Sequence, residues 1–405
     1  MKKHPWYRHV TRCIALTVLA GASAFAWSAT HEAPAHDHAR AAQGPSVTSL
    51  DVYARGDTVD LLTGETNGAD SATTLWHRQS RDGGKSWSNP TRVDTGLPSA
   101  RRPHRGNDAQ IASDGRHVIA AWTTAGRGWL GSGALITAYS ADAGKTWRRG
   151  GTPAGDERED GQSYADLSAR GGRFHLAWLD SRGGSQGVRY AMSADGGASW
   201  RSNASIKAGS CECCWNTLLP AADDSVYLLF RNKAPRDMGL AVSRDDGASW
   251  KPAGPVGAFN WQIDACPHTG GALAMTGHGA SERLHAVVWT GKPDVRGLHV
   301  LSARDAGSGW TPVARLGGEY AQRADLASAG GELIAVWDES VGRQAAVFLA
   351  RSQSGGQTWS QPVRLSSEGV NAIYPRVVAA RANLLVLWTE AAAGGESRLR
   401  MVLMK

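Results

Sequence analysis

The chain has 405 residues, longer than an ordinary single domain, so it holds either two or three domains or one large closed architecture built from repeats. Its formal charge of +7 falls to +3 once the four Lys and Arg of the first 26 residues are set aside (seven less four), which argues against nucleic acid or an anionic membrane as main partner. Seventeen Trp and 49 Gly with few long apolar runs favour short strands and tight turns, an all-β class, over helices.

In chain order, residues 1–26 read as a secretory signal. Lys2, Lys3, Arg8 and Arg12 lead, an apolar run from Ile14 to Ala20 follows, and Ala24-Phe25-Ala26 fits a cleavage site. The expected location is periplasmic or secreted. No later stretch reaches the roughly 18 apolar residues of a membrane helix, and no Cys follows the apolar run to carry a lipid anchor, so no membrane insertion is expected. Residues 27–44 are rich in Ala and His and read as a flexible linker, with His31, His36 and His38 forming a tract able to collect metal ions. Residues 45–405 form the remaining single domain. Arg55-Gly56-Asp57 falls where a first hairpin turns, which accounts for its Gly and Asp.

Six segments from there on share a pattern close to Ser-x-Asp-x-Gly-x-x-Trp. They start at Ser80, Ser140, Ser193, Ser243, Ser302 and Ser352, spaced 60, 53, 50, 59 and 50 residues apart. The chemistry is that of a hairpin turn: the carboxylate accepts backbone N–H groups, Gly supplies positive φ and Trp packs back over the strand. The fifth copy carries an extra residue, and the sixth has Ser354 where Asp belongs. Three short strands precede each box, as in 164–169, 173–178 and 188–193, and such triplets occur seven times. Their second strands carry Trp122, Trp178, Phe230, Trp289, Trp337 and Trp388, with Leu62 in the first. A four-stranded sheet of about 50 residues cannot bury both faces alone, so radial stacking is the stable solution.

The six boxes resemble the Asp-box, or BNR, repeat of sialidases and related β-propellers. The expectation is therefore an all-β propeller of four-stranded antiparallel blades, seven by the triplet count, with six, the number typical of sialidases, as the alternative. The chain ends after a third strand, so the segment before Ser46 is expected to supply the fourth strand of the last blade.

The resemblance also implies that the boxes lie on one face and functional loops on the other. Cys211-Glu212-Cys213-Cys214-Trp215 comes directly before the first strand of blade four, and Cys266-Pro267-His268 lies in the corresponding loop of blade five. Met238 is expected in a loop on the same face, and Glu212 is expected to face solvent. Thiolates, an imidazole and a thioether suit a soft ion, copper or zinc, giving Cys211, Cys213, Cys214, Cys266, His268 and Met238 as candidate ligands. A disulfide from Cys266 to one of the other cysteines, closing a loop of about 50 residues and worth about 4 kcal/mol, competes with that reading. Redox exchange is a third option. Trp215, Trp261 and Asp264 either line a pocket for a small ligand or cover the channel.

Sialidases use three arginines to grip a carboxylate, a Tyr nucleophile activated by Glu, and an Arg-Ile-Pro segment. This sequence offers Arg323, Tyr374 and Arg376 as candidate catalytic residues for sialic-acid-like glycosides, with Tyr164 and Asp166 at comparable places in blade three. It has no Arg-Ile-Pro, the nearest segment being Arg101-Arg102-Pro103-His104. A non-catalytic platform for a protein or glycan partner is the remaining alternative.

Overall fold

The computed structural model describes residues 45–405 apart from 69–71, 103–104, 156–160, 182–185, 305–308 and 382. The signal segment, the linker with its three histidines, and Pro103 and His104 lie outside the described residues.

Seven antiparallel sheets follow one another along the chain, six of four strands and a last one of three. The first strand of each blade touches the first strand of the next, and that of blade seven (Val370–Ala380) touches that of blade one (Ser46–Arg55), so the ring closes. Seven blades is therefore the correct count, and six is excluded. The Val47 N–H donates to the Ser397 carbonyl at 2.8 Å, tying the start of the ring to blade seven. The fourth strand expected for blade seven falls before Ser46, outside the described residues. No helix among them is long and apolar enough to cross a membrane.

The core is divided into seven apolar clusters, one at each blade interface, because strand side chains alternate between the two faces of a sheet. In the second strand of blade three (Arg173–Asp180), Phe174, Leu176 and Trp178 pack against blade two. Ala177 and Leu179 turn the other way, toward blade four. The closing cluster joins Leu50, Val52, Val59 and Leu61 of blade one to Ala380, Leu385 and Leu387 of blade seven.

Each described box is a hydrogen-bonded knot between a third strand and a fourth. In the first, Ser80 Oγ donates to Asp82 Oδ1 at 2.7 Å and accepts from the Gly84 N–H at 2.8 Å. Asp82 also accepts from the Ser86 N–H at 2.9 Å and the Ser86 hydroxyl at 2.6 Å. The sixth box keeps the turn with Ser354 Oγ accepting from the Thr358 N–H at 2.8 Å. The glycine at the fifth box position seats on the preceding blade. A Cβ on Gly247 would lie 1.9 Å from the Tyr190 hydroxyl, so only Gly fits there, and its φ of +85° favours Gly as well.

Antiparallel alternation settles which loops share a face. Turns between first and second strands and the boxes lie at one end of each blade. Loops between second and third strands, and those entering the next blade, lie at the other.

Candidate functional site

On that second face, residues 211–216 lead into the first strand of blade four (Thr217–Pro220), held by the Cys211 N–H donating to the Arg231 carbonyl at 2.9 Å. Cys266 comes from the loop entering the first strand of blade five (Gly271–Thr276). Cys211, Cys213 and Cys214 are buried, Cys266 is half-buried, and all four are free thiols. Cys211 Sγ lies 3.3 Å from Cys214 Sγ and 3.6 Å from Cys213 Sγ.

Two donor sets share Cys211. The ligand atoms of Cys211, Cys213 and Cys214 lie within 4.8 Å of one another, and so do those of Cys211, Glu212 and Cys266. Two sulfurs on one ion at about 2.3 Å each can be no more than about 4.6 Å apart, so each set is close to the reach of a single ion.

Two arginines that sequence reasoning missed stand behind these sulfurs. Arg236, 4% exposed, donates from Nη1 to Cys211 Sγ at 3.0 Å and lies 3.7 Å from Glu212. Arg231, 2% exposed, donates to the carbonyls of Thr269, Arg236 and Trp289 and forms no ion pair with a carboxylate among the described residues. Its positive charge is felt at Cys214. Hydrogen bonds from Cys213 and Cys214, and then Arg236, hold the Cys211 thiol far below its ordinary range. Burial pushes the Cys214 thiol up. Arg236 and the neighbouring thiols therefore favour the ionised form of Cys211 over that of its neighbours. The buried Ser210 Oγ, Asn216 Oδ1 and Thr269 Oγ1 that flank the two cysteine loops have no hydrogen-bond partner among the described residues.

Three candidates fall elsewhere than expected. Met238 is the first residue of the third strand of blade four (Met238–Ser243) and packs into the core between blades four and five. The cysteines lie in the cluster between blades three and four, so Met238 and the cysteines pack into different blade interfaces. His268 is exposed, with a left-handed φ of +49°, and joins neither set. Glu212 does not simply face solvent: its side chain is 20% exposed and pairs with Lys233 and Arg236.

At the channel mouth the inner strands of blades three, six and seven share a bulge. Tyr164, Arg323 and Tyr374 occupy it with φ of +52°, +37° and +52°. Two residues later stand Asp166, Asp325 and Arg376, so Arg323 matches Tyr374, and Arg376 matches the aspartates. Asp325 accepts from the Val377 N–H of blade seven at 2.9 Å, and Asp51 accepts from the Ile111 N–H of blade two at 2.8 Å. These carboxyls pin neighbouring blades together. Burial raises the Asp51 carboxyl to about 7, partly offset by Arg376.

The structure brings Arg323 and Tyr374 together, with the guanidinium 4.6 Å from the ring centroid, and Arg105 approaches the same ring at 5.4 Å. Arg323 is paired with Asp338 at 2.9 Å, and Arg105 with Asp108 at 2.8 Å. The electrostatic partners of Arg376 are Asp51, Asp325, Asp108 and Asp166. The acids that bear most on Tyr374 are Asp338 and Asp108. Trp215 packs beside Tyr374 at 5.9 Å, and the Tyr164 hydroxyl feels Cys213, Cys214 and Tyr374, so the two centres adjoin. Trp261 is buried edge-on against Trp289 at 5.3 Å, as core cover. A cavity of 430 Å³ lined by His77, Trp87 and Lys145 opens on the box side, away from both centres.

A family model described as a BNR repeat-like domain matches residues 163–387. No curated protein matches the sequence. Among solved structures the chain is similar to a PL25 ulvan lyase solved with -[GlcA(1-4)Rha3S]- (TM-score 0.59, 10% identity, 89% of this chain and 94% of that one). It is also similar to the polysaccharide lyase Uly1 (0.55, 12%, 90% and 90%). A third is Trypanosoma rangeli sialidase in complex with the inhibitor DANA (0.50, 12%, 87% and 68%). At these identities the likeness is one of fold.

Proposed function

This chain belongs to the BNR repeat-like domain family, and from that premise we propose that it is an exported, sialidase-like propeller whose cysteine-rich face binds a soft metal ion, copper or zinc, through thiolates. The observation that carries the reading is the pair of buried guanidiniums behind the sulfurs, one of them without a carboxylate among the described residues. A buried charge left uncompensated costs several kcal/mol. Neutral thiols or disulfides supply no negative charge, whereas ionised sulfurs do, and thiolates are the donors that soft ions select. With His268 outside the donor sets and Met238 packed into a different blade interface, the ligands are the four cysteines and the Glu212 carboxylate. Export rests on the basic, apolar and Ala-x-Ala pattern of residues 1–26.

The exo-glycosidase alternative has weaker support, because Arg323 and Arg105 are ion-paired with the chain's own Asp338 and Asp108, and Arg376 lies in the field of several aspartates. A glycan partner at the same face remains compatible with what the ulvan lyase binds. The test of the metal reading is equilibrium dialysis of purified protein against zinc and, anaerobically, copper(I). Binding that is lost in Cys213→Ser supports it, and equal uptake by that variant overturns it.

A further inference from the structure

Resting on that thiolate reading, we propose that the cluster holds two copper(I) ions bridged by Cys211 Sγ. One position is the buried set of Cys211, Cys213 and Cys214; the other is the half-exposed set of Cys211, Glu212 and Cys266. Cys266 completes a second set with Cys211 and Glu212 while also interacting with Cys213 at the edge of the buried triad, so the donors form two adjoining sets with the Cys211 sulfur in common. Thiolate sulfur has lone pairs enough to bridge two soft ions, and Cys211, flanked by both sets, is the sulfur placed to do so.

Charge selects the ion. Four thiolates and the Glu212 carboxylate carry five negative charges, while Arg231, Arg236 and Lys233 return three positive ones. Either two monovalent ions or one divalent ion would supply the remaining two. One ion leaves one of the two donor sets empty, so only a pair of monovalent ions fills both sets at neutrality. A single monovalent ion leaves net negative charge in a largely buried site, and two divalent ions leave net positive charge, both costly in a low-dielectric interior. The low charge and all-sulfur inner set together match copper(I) better than zinc. The exposure gradient gives an order of filling: the outer position, reached through Cys266, meets the ion first, and Cys211 passes it inward.

The experiment is an anaerobic titration of the full chain with copper(I) against a competing chelator, counting tightly bound equivalents, with X-ray absorption on the loaded samples. The wild type is expected to bind two equivalents and to show a metal–metal scattering shell. Cys266→Ser, an isosteric change at a half-exposed loop position on the edge of the cluster between blades three and four, is expected to bind one equivalent and lose that shell. Glu212→Gln is expected to weaken the second equivalent only. A single equivalent in the wild type overturns the two-ion site while leaving the thiolate reading standing, and no uptake at all overturns both. Two equivalents retained by Cys266→Ser also overturn it, by placing the second ion elsewhere, such as the His31, His36 and His38 tract.

Discussion

Arg236 Nη1 donates to Cys211 Sγ at 3.0 Å inside the interface between blades three and four. A guanidinium so placed stabilises the thiolate and fixes its direction, and loss of such a supporting hydrogen bond typically lowers metal affinity by about 10- to 100-fold. Arg236→Met, close in volume and uncharged, is expected to weaken metal binding by that factor in a chelator competition. It should also slow alkylation of Cys211 in the metal-free protein. Unchanged affinity and unchanged alkylation would show that the arginine has no part in the site.

The blade pins make a separate prediction about stability. Asp325 accepts the N–H groups of Leu326 and Val377, the second across the interface between blades six and seven. Asp325→Ala leaves both donors without their partner, at a cost toward the lower end of about 1–3 kcal/mol, the range for a buried group, since the site is half-buried. Urea denaturation is expected to show a lower midpoint with little change in slope. A midpoint equal to that of the wild type would mean that water replaces the carboxylate at no cost.

How much of this the sequence displays depends on whether the chemistry is local. The boxes were legible because Ser80, Asp82, Gly84 and Ser86 satisfy one another within seven residues, and the same few atoms recur at each copy. The convergence of Cys266 with the CECC segment followed from blade order alone. The arginines were not legible: Arg231 ends a wholly buried strand, Val226–Arg231, and nothing local marks it as facing a sulfur cluster. Met238 was misplaced because one strand position decides which blade interface a side chain enters. That Arg323 matches Tyr374 and not Arg376 is not legible, because the bulge at Arg323 and Tyr374, which shifts the register, leaves no compositional trace.

Acid sensitivity carries two opposite signs. Hydrogen bonds from the box hydroxyls and N–H groups lower the carboxyls of Asp82, Asp142 and Asp245 to about 2. Their contribution is therefore present above the unfolded carboxylate range and lost as pH falls from about 4 toward 2. Asp51 behaves in the opposite way, because burial raises it to about 7. Its contribution is full below about 4 and is lost as pH rises through 7. Thermal melts from pH 4 to 7 are expected to show Asp51→Asn with a less negative slope than the wild type. Parallel curves would contradict the assignment.

At the channel mouth, Arg323 is bonded to Asp338 and Arg376 lies in the field of four aspartates, which compete with a substrate carboxylate for both guanidiniums. A sialoside reporter is accordingly expected to give no turnover that depends on Tyr374. Hydrolysis by the wild type that disappears in Tyr374→Phe would restore the glycosidase reading.

The most direct test is elemental analysis combined with thiol counting on protein purified without chelators. The thiolate account requires copper or zinc at stoichiometric level or above, with Cys211, Cys213, Cys214 and Cys266 reacting fully only after denaturation and chelation. Four oxidised cysteines and no metal would contradict it, leaving the cysteine-rich face as a cross-linked structural element.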